Sequence, residues 1–285
     1  MKVLIVGASG MLGNTLFRYI KQRCIDIDVV GTLRSESQRS LFDKSCYSSL
    51  VSGINLCNFE SMNVLMEETL PDVVVNCAGV IKQVKDASNA TTTIYMNALL
   101  PHKLASLCAD VEARLVHFST DCVYTGSRGM YKEEDESDAR DLYGMTKYLG
   151  EVKYKNTLTL RTSMIGHELA SQNSLLGWFL DQENEINGYS KAIFSGLPTV
   201  ELSRIICQFI LPNTGLHGLY HVSAHPISKY SLLKKVAKIY GKNISICKDD
   251  TYLIDRSLDS SRFQSATGYS PPDWNELIRE MWEFQ

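Results

Sequence analysis

Apolar and polar residues follow one another in blocks along the first half of this chain, and the period of the blocks changes. Short apolar runs that read as strands occupy Lys2–Val6, Asp28–Thr32, Val73–Cys77, Arg114–Ser119 and Leu158–Arg161. Between them, Met11–Arg23 carries Leu12, Leu16, Tyr19 and Ile20 on one helical face, and Ser61–Thr69 and Thr92–Ala109 repeat that spacing. Strands alternating with helices need right-handed crossovers and predict an α/β fold with a doubly wound parallel sheet. After about residue 165 the pattern loosens. Glu168–Ser174 is polar, Ser190–Thr199 contains Gly196 and Pro198, and a helix is predicted over 200–211. Beyond Tyr220 the chain reads as short helices and loops. A large N-terminal domain and a smaller C-terminal one are expected.

Composition narrows the picture without redirecting it. The 285 residues are 44% hydrophobic and 21% charged, enough apolar content for a sizeable core. A formal net charge of −3 leaves no basic footprint for nucleic acid, so a small molecule is the expected partner. Eight scattered cysteines without a C-x-x-C spacing argue against zinc and disulfides and for a reduced, cytoplasmic setting. No run reaches membrane-spanning length, and Val3–Val6 is too short for a signal sequence.

Candidate chemistry sits at the ends of the predicted strands. Gly7, Gly10 and Gly13 follow the first strand and open the first helix. Glycines there let a pyrophosphate approach the backbone at a helix N-terminus, so the fold is expected to be of the Rossmann dinucleotide type. The second strand ends in Leu33-Arg34, where an acidic residue usually holds a ribose 2′-hydroxyl. Arg34 suits a 2′-phosphate instead, which favours NADPH with NADH as the alternative; a solvated surface arginine is the other reading. The small residues Cys77, Ala78 and Gly79 end the third strand, where they admit a flat ligand or pack tightly against a helix. Thr120 ends the fourth, and Tyr143 and Lys147 lie four residues apart, on one face of a helix. A strand-end hydroxyl, a phenol and an ammonium suit carbonyl reduction, with Lys147 expected to lower the Tyr143 pKa from about 10. Glu133–Glu136 reads as a solvated acidic loop, with a metal site as the alternative; no metal is expected.

These residues carry a resemblance. The glycine loop, Ser119-Thr-Asp121 before Val123-Tyr124, Tyr143 to Lys147, Leu160-Arg-Thr-Ser163 and Gly196-Leu-Pro-Thr199 resemble the extended short-chain dehydrogenases/reductases that act on nucleotide sugars, most closely the dTDP-4-dehydrorhamnose reductases. Weaker likeness continues through Tyr220–Ser223 and Ser257–Asp259. The resemblance implies Thr120, Tyr143 and Lys147 as the catalytic residues. It implies a cofactor site of Gly7, Ser9, Gly10, Met11, Leu12, Gly13, Arg34, Asn55, Cys77, Ala78 and Gly79, completed by Tyr143 and Lys147. Val80, Asp121, Cys122, Ser163 and Met164 would meet substrate. The implied reaction is hydride transfer to a sugar ketone, at C4, in the synthesis of cell-surface polysaccharide precursors.

Two departures bear on the substrate. Dehydratases of this family carry Asp-Glu after the threonine, and this chain has Asp121-Cys122, without the second carboxylate. Met164 stands where the reductases commonly have an aromatic residue, so a related deoxy or N-acetylated keto-sugar nucleotide is as consistent as the rhamnose precursor. Cys122 also resembles, more distantly, the cysteine of GDP-fucose synthases, an alternative in which Cys122 and His167 would epimerise carbons beside the ketone; a small buried hydrophobe is the plainer reading. A non-catalytic regulatory subunit on the same fold is the reading from another class. A homodimer is expected. The domain boundaries that follow are 1–165 with part of 195–222 for the dinucleotide, and 166–285, mostly discontinuous, for the substrate, with a cleft between.

Overall fold

The computed structural model describes residues 1–82 and 89–285. Its centre is a parallel sheet of seven strands: β1 (Lys2–Val6), β2 (Asp28–Thr32), β3 (Leu50–Val51), β4 (Val73–Asn76), β5 (Arg114–Thr120), β6 (Thr157–Thr162) and, after β7 (Met164–Ile165), β8 (Glu185–Tyr189), β9 (Ala192–Phe194) and β10 (Leu197–Pro198), strand β11 (Gly218–His221). The spatial order is β11-β6-β5-β4-β1-β2-β3. Strand order reverses beside β1, between β1 and β4, and that is where an open α/β sheet leaves a crevice at its carboxyl edge. Three small sheets pair β10 with β7, β13 (Ser245–Asp249) with β8, and β12 (Ile227–Ser228) and β14 (Ile254–Asp255) with β9.

Alternation along the strands sorts side chains into two cores. Val3 and Ile5 join Val73, Val75 and Val116 on one face, under α1 (Met11–Arg23). Leu4 and Val6 join Val74 and Leu115 on the other, under α2 (Glu60–Thr69) and, beyond α3 (Ala90–Ile94), α4 (Leu100–Asp110). A sheet buried on both faces reads as near-continuous apolar runs, which is why these strands stood out. The five predicted strands are present with ends shifted by one residue at most, and the helix over Met11–Arg23 is where its spacing put it.

Strands β3 and β11 were not anticipated. Each adds to an edge of the sheet, and Gly218-Leu-Tyr-His221 pairs with β6 in a region that read as loops and short helices. The helix expected over Thr92–Ala109 is also interrupted, by a π turn at Tyr95–Leu99. Pro101 lacks the N–H that would bond back to the Asn97 carbonyl. That carbonyl instead faces Gly150, where a Cβ would come within 2.0 Å of it. The bulge therefore carries Asn97 against the end of α5 (Leu142–Leu149). The helix expected over 200–211 likewise splits into α7 (Thr199–Ile205), after α6 (Leu175–Asp181), and a π turn at Ile206–Ile210. Helices α8 (Lys229–Tyr240), α9 (Ser261–Thr267) and α10 (Trp274–Glu283) complete the chain. Among the described residues, no helix is long and apolar enough to cross a membrane.

Candidate active site

The loop after β1 is built by three glycines with different duties. Gly7 has φ +85°, a conformation that L side chains rarely adopt, and its N–H donates to Thr32 Oγ1 at 2.9 Å. Gly13 is demanded by packing, because a Cβ there would lie 2.2 Å from the Gly7 carbonyl oxygen. Gly10 is not: a Cβ would meet nothing closer than 3.4 Å. It caps α1 without a side-chain hydrogen bond, and the first turn has no acidic residue, so the helix N-terminus presents uncapped N–H groups. Ser9 is half-buried, as is Met11, whereas Leu12 points into the core and offers only its backbone.

Across the loop, the Arg34 guanidinium is exposed and makes no ion pair among the described residues. Gln38, which sequence reasoning missed, stitches the two segments together. Its Oε1 accepts from the Arg34 N–H at 2.9 Å, and its Nε2 donates to Ser9 Oγ at 3.0 Å. Asn55 is exposed and spends its Oδ1 on the Cys57 N–H at 3.0 Å, closing its own turn. A glycine cradle, an uncapped helix end and an unpaired arginine fit a phosphorylated dinucleotide. If Arg34 reads a 2′-phosphate, Arg34→Ala should raise the apparent KM for NADPH and leave NADH little changed. Equal effects in paired steady-state measurements would remove that role.

At the end of β4, Ala78 packs 3.1 Å from where a Gly7 Cβ would be, and burial pushes the Cys77 thiol up. Gly79 and Val80 follow under a second residue the sequence did not flag. Asn97 Oδ1 accepts from the Val80 N–H, and Asn97 Nδ2 donates to the Val80 carbonyl, both at 2.9 Å. The signal was available only as the helix break at Pro101.

Thr120 ends β5 directly opposite Thr162 of β6, so Ser163 and Met164 leave the sheet beside it. Thr120 Oγ1 donates to Asp121 Oδ1 and accepts from the Cys122 N–H, each at 3.1 Å. The Ser163 carbonyl accepts from the Leu197 N–H at 2.9 Å, and Met164 lies partly in the core. Helix α5 is capped by Asp141, whose Oδ1 accepts from the Gly144 N–H at 2.9 Å. Its fit against the turn after β5 requires Gly144, where a Cβ would come within 2.3 Å of the Cys122 carbonyl. This docking brings Tyr143 beside Thr120.

The electrostatics differ from the expectation in one respect. Burial raises the Tyr143 phenol above its ordinary value, the Cys122, Asp121 and Asp141 charges add to that, and the neighbouring Thr120 hydroxyl opposes it. Lys147 is not among the main causes of that shift. Its Nζ donates instead to the Phe118 carbonyl at 2.6 Å, and burial pulls its own pKa down to about 8 against the opposing pull of Glu151. The ammonium is committed to the strand, one helical turn below the phenol.

Cys122 lies beside a cavity of about 280 Å³ lined by Tyr124, Ala139, Arg140, Asp141 and Arg256. Arg256 was also missed; it comes from the far end of the chain, donating to the Tyr124 carbonyl at 2.7 Å and to Cys122 Sγ at 3.7 Å. Even so, burial and Asp121 push the thiol up to about 12. Burial likewise raises Asp121. His167 lines a different, smaller cavity with Arg18 and Glu168, where it bonds Tyr240 Oη at 2.9 Å, and so is not assembled with Cys122. The acidic loop at Glu133–Glu136 is tied down rather than merely solvated. Glu133 accepts from the His221 N–H at 2.8 Å, and Asp135 pairs with Arg128. Among the described residues, no group of acidic, histidine or cysteine side chains could hold a metal ion.

Known proteins share this plan. The spore coat polysaccharide biosynthesis protein SpsK of Bacillus subtilis is 25% identical, over 98% of this chain and 96% of its own length. A probable low-salt glycan biosynthesis reductase of Haloferax volcanii is 29% identical over 62% of this chain, a match that spans only 58% of that protein. The structure of dTDP-4-dehydrorhamnose reductase from Bacillus anthracis in complex with NADP superposes with a TM-score of 0.80 at 22% identity, over 99% of this chain and 98% of that one. The profile of the RmlD substrate binding domain matches residues 1–284, and the chain belongs to that family.

Proposed function

We propose that the protein reduces a keto group, at C4, on a nucleotide-linked deoxysugar with NADPH, in the synthesis of a polysaccharide precursor. The observation that carries this reading is the meeting of Thr120, Tyr143 and Lys147 at the same sheet edge as the glycine loop. The bound nicotinamide would supply the hydride. Thr120 and Tyr143 would both bond the ketone oxygen, and Tyr143 would give it a proton as negative charge develops there. The raised pKa keeps the phenol protonated for that step. The Lys147 ammonium adds positive charge beneath it only while protonated, so reduction should fall as pH rises through about 8. Arg140 and Arg256 make no ion pair among the described residues, while Asp141, the acid of that cavity, is paired with Lys82 at 3.0 Å. The cavity is thus net cationic and suits a diphosphate. On the same reading, residues 1–165 with part of 195–222 hold the dinucleotide and 166–285 mostly the sugar nucleotide. The protein would work as a homodimer in the cytoplasm, a setting consistent with its eight free thiols.

The contact from Arg256 to Cys122 favours, by itself, an epimerase-reductase in which Cys122 is the base. Burial and Asp121 outweigh it, leaving a protonated thiol at neutral pH. The test is a panel of keto-sugar nucleotides with NADPH in D₂O, followed by absorbance and NMR. A plain reductase consumes NADPH without placing solvent deuterium next to the carbonyl, and Cys122→Ser reduces nearly as well as the parent. Exchange that Cys122→Ser abolishes would establish the epimerase-reductase. No consumption with any ketone would leave the non-catalytic reading.

A further inference from the structure

Next to the cavity beside Cys122 stands Lys82, a cation to which no role has been given. The cavity wall itself is held from the interior of the sheet. Arg161, 2% exposed on β6, is paired with Glu151 through Nε to Oε1 at 2.7 Å and Nη2 to Oε2 at 2.8 Å. Its Nη1 donates to Tyr124 Oη at 2.6 Å, and the Tyr124 ring is stacked on Tyr131 with centroids 4.1 Å apart. Tyr124 is thereby fixed at ring and hydroxyl, and its carbonyl accepts from Arg256 Nε at 2.7 Å. This keeps the Arg256 guanidinium on the cavity wall, with Nη2 unpartnered among the described residues.

Lys82 comes from the loop after β4. Two residues before it, Val80 is pinned through both backbone groups by Asn97, so the chain leaves from a fixed point. The Lys82 ammonium donates to Asp141 Oδ2 at 3.0 Å, across 59 residues of sequence. Asp141 lines the cavity and caps α5 with its other oxygen, two residues before Tyr143. Both carboxylate oxygens are therefore engaged by donors. The side chains of this bridge are 52% and 40% exposed. A pair so open to water adds only about 0–1 kcal/mol to stability, so stability does not explain it. An ammonium has three donors; Asp141 takes one, and two remain. Lys82, Arg140 and Arg256 set three cations against the one carboxylate that lines this cavity. The nearby Asp138 is occupied by the Thr125 N–H and hydroxyl.

We infer that Lys82 is a substrate-binding residue, held by Asp141 beside Arg140 and Arg256 so that its two remaining N–H donors take a phosphate of the sugar nucleotide. The inference rests on the sugar-nucleotide reading for the identity of its ligand. At about 280 Å³ the cavity falls just under the usual range for a whole small ligand, about 300–1,000 Å³, and so takes part of one. A diphosphate is the part that matches. Its oxygens only accept, the three cations only donate, and the charges are opposite. The two guanidinium forks suit paired oxygens, whereas Lys82 meets its phosphate as a point charge on a flexible stem. Asp141 ties this contact to the chemistry. The residue that anchors Lys82 also caps the helix carrying Tyr143, so a phosphate drawn to Lys82 is set in register with the phenol.

The test is calorimetric titration with inorganic pyrophosphate and with dTDP, on protein saturated with NADPH so that the glycine loop is filled. In Lys82→Met the Kd for both probes should rise about tenfold, the low end for losing a hydrogen bond to a charged group, while the NADPH Kd stays the same. Lys82→Arg, which keeps the charge, should bind close to the parent. Unmasking Asp141 would also repel an anion, so a second pair of variants separates the two effects. Asp141→Asn keeps an oxygen for the helix cap and loses the charge. Adding Lys82→Met to it should weaken pyrophosphate by the same factor again. Equal affinities of Asp141→Asn and Asp141→Asn/Lys82→Met would reduce Lys82 to a mask for Asp141 and overturn the proposal, as would a parent that binds neither probe. Binding needs no turnover. Pyrophosphate bound as expected, with no keto-sugar nucleotide reduced, would end the reductase reading and leave Lys82 in its role.

Discussion

Replacing Tyr143 by Phe is expected to lower turnover by about 10²–10⁴-fold, the usual scale for losing a general acid. The ring is retained, so packing against the turn after β5 survives, and only the hydroxyl beside Thr120 is lost. Cofactor affinity should persist, because the glycine loop, Gln38 and Arg34 lie on other segments. Stopped-flow reduction of the accepted sugar nucleotide, beside fluorescence titration of NADPH, separates the two effects. Near-normal reduction with unchanged affinity would show that the ketone oxygen takes its proton elsewhere.

Replacing Arg161 by Met should cost about 3–5 kcal/mol, the scale for leaving a buried carboxylate unpaired. Glu151 is 8% exposed and would keep only the Ser119 hydroxyl among its present partners, while Tyr124 and His221 would also lose a donor. For a chain of this size the melting temperature should drop by roughly 10 °C. Glu151→Gln/Arg161→Met should recover much of that loss, since the penalty belongs to the stranded charge rather than to the missing contacts. Differential scanning calorimetry of parent, single and double variants decides it; a double variant as unstable as Arg161→Met would place the cost in packing instead.

Much of this protein follows from local pattern. The apolar runs at β1, β2, β4, β5 and β6 are buried on both faces, so their hydrophobicity is continuous and visible without any partner. Gly7, Gly10 and Gly13, the strand-end Thr120 and the spacing of Tyr143 and Lys147 are likewise local, because each depends on a strand end, a helix start or a helical turn that the nearby sequence encodes. What the sequence could not decide involves partners far away along the chain. Strand β11 becomes a strand only by pairing with β6, some sixty residues earlier. Asn97 reaches Val80 because Pro101 and Gly150 together open a π turn, a joint effect of three separated positions. Arg256 meets Cys122 only after the chain has closed. The pKa of Lys147 belongs to this second group as well. Its four-residue offset from Tyr143 suggested an ammonium acting on the phenol, but tertiary packing buries the amine, gives it the Phe118 carbonyl and sets Glu151 against the desolvation. Local sequence determines which groups stand at the sheet edge, because helix and strand periods are short-range. Burial and charge neighbours determine their protonation, because both are properties of the assembled interior.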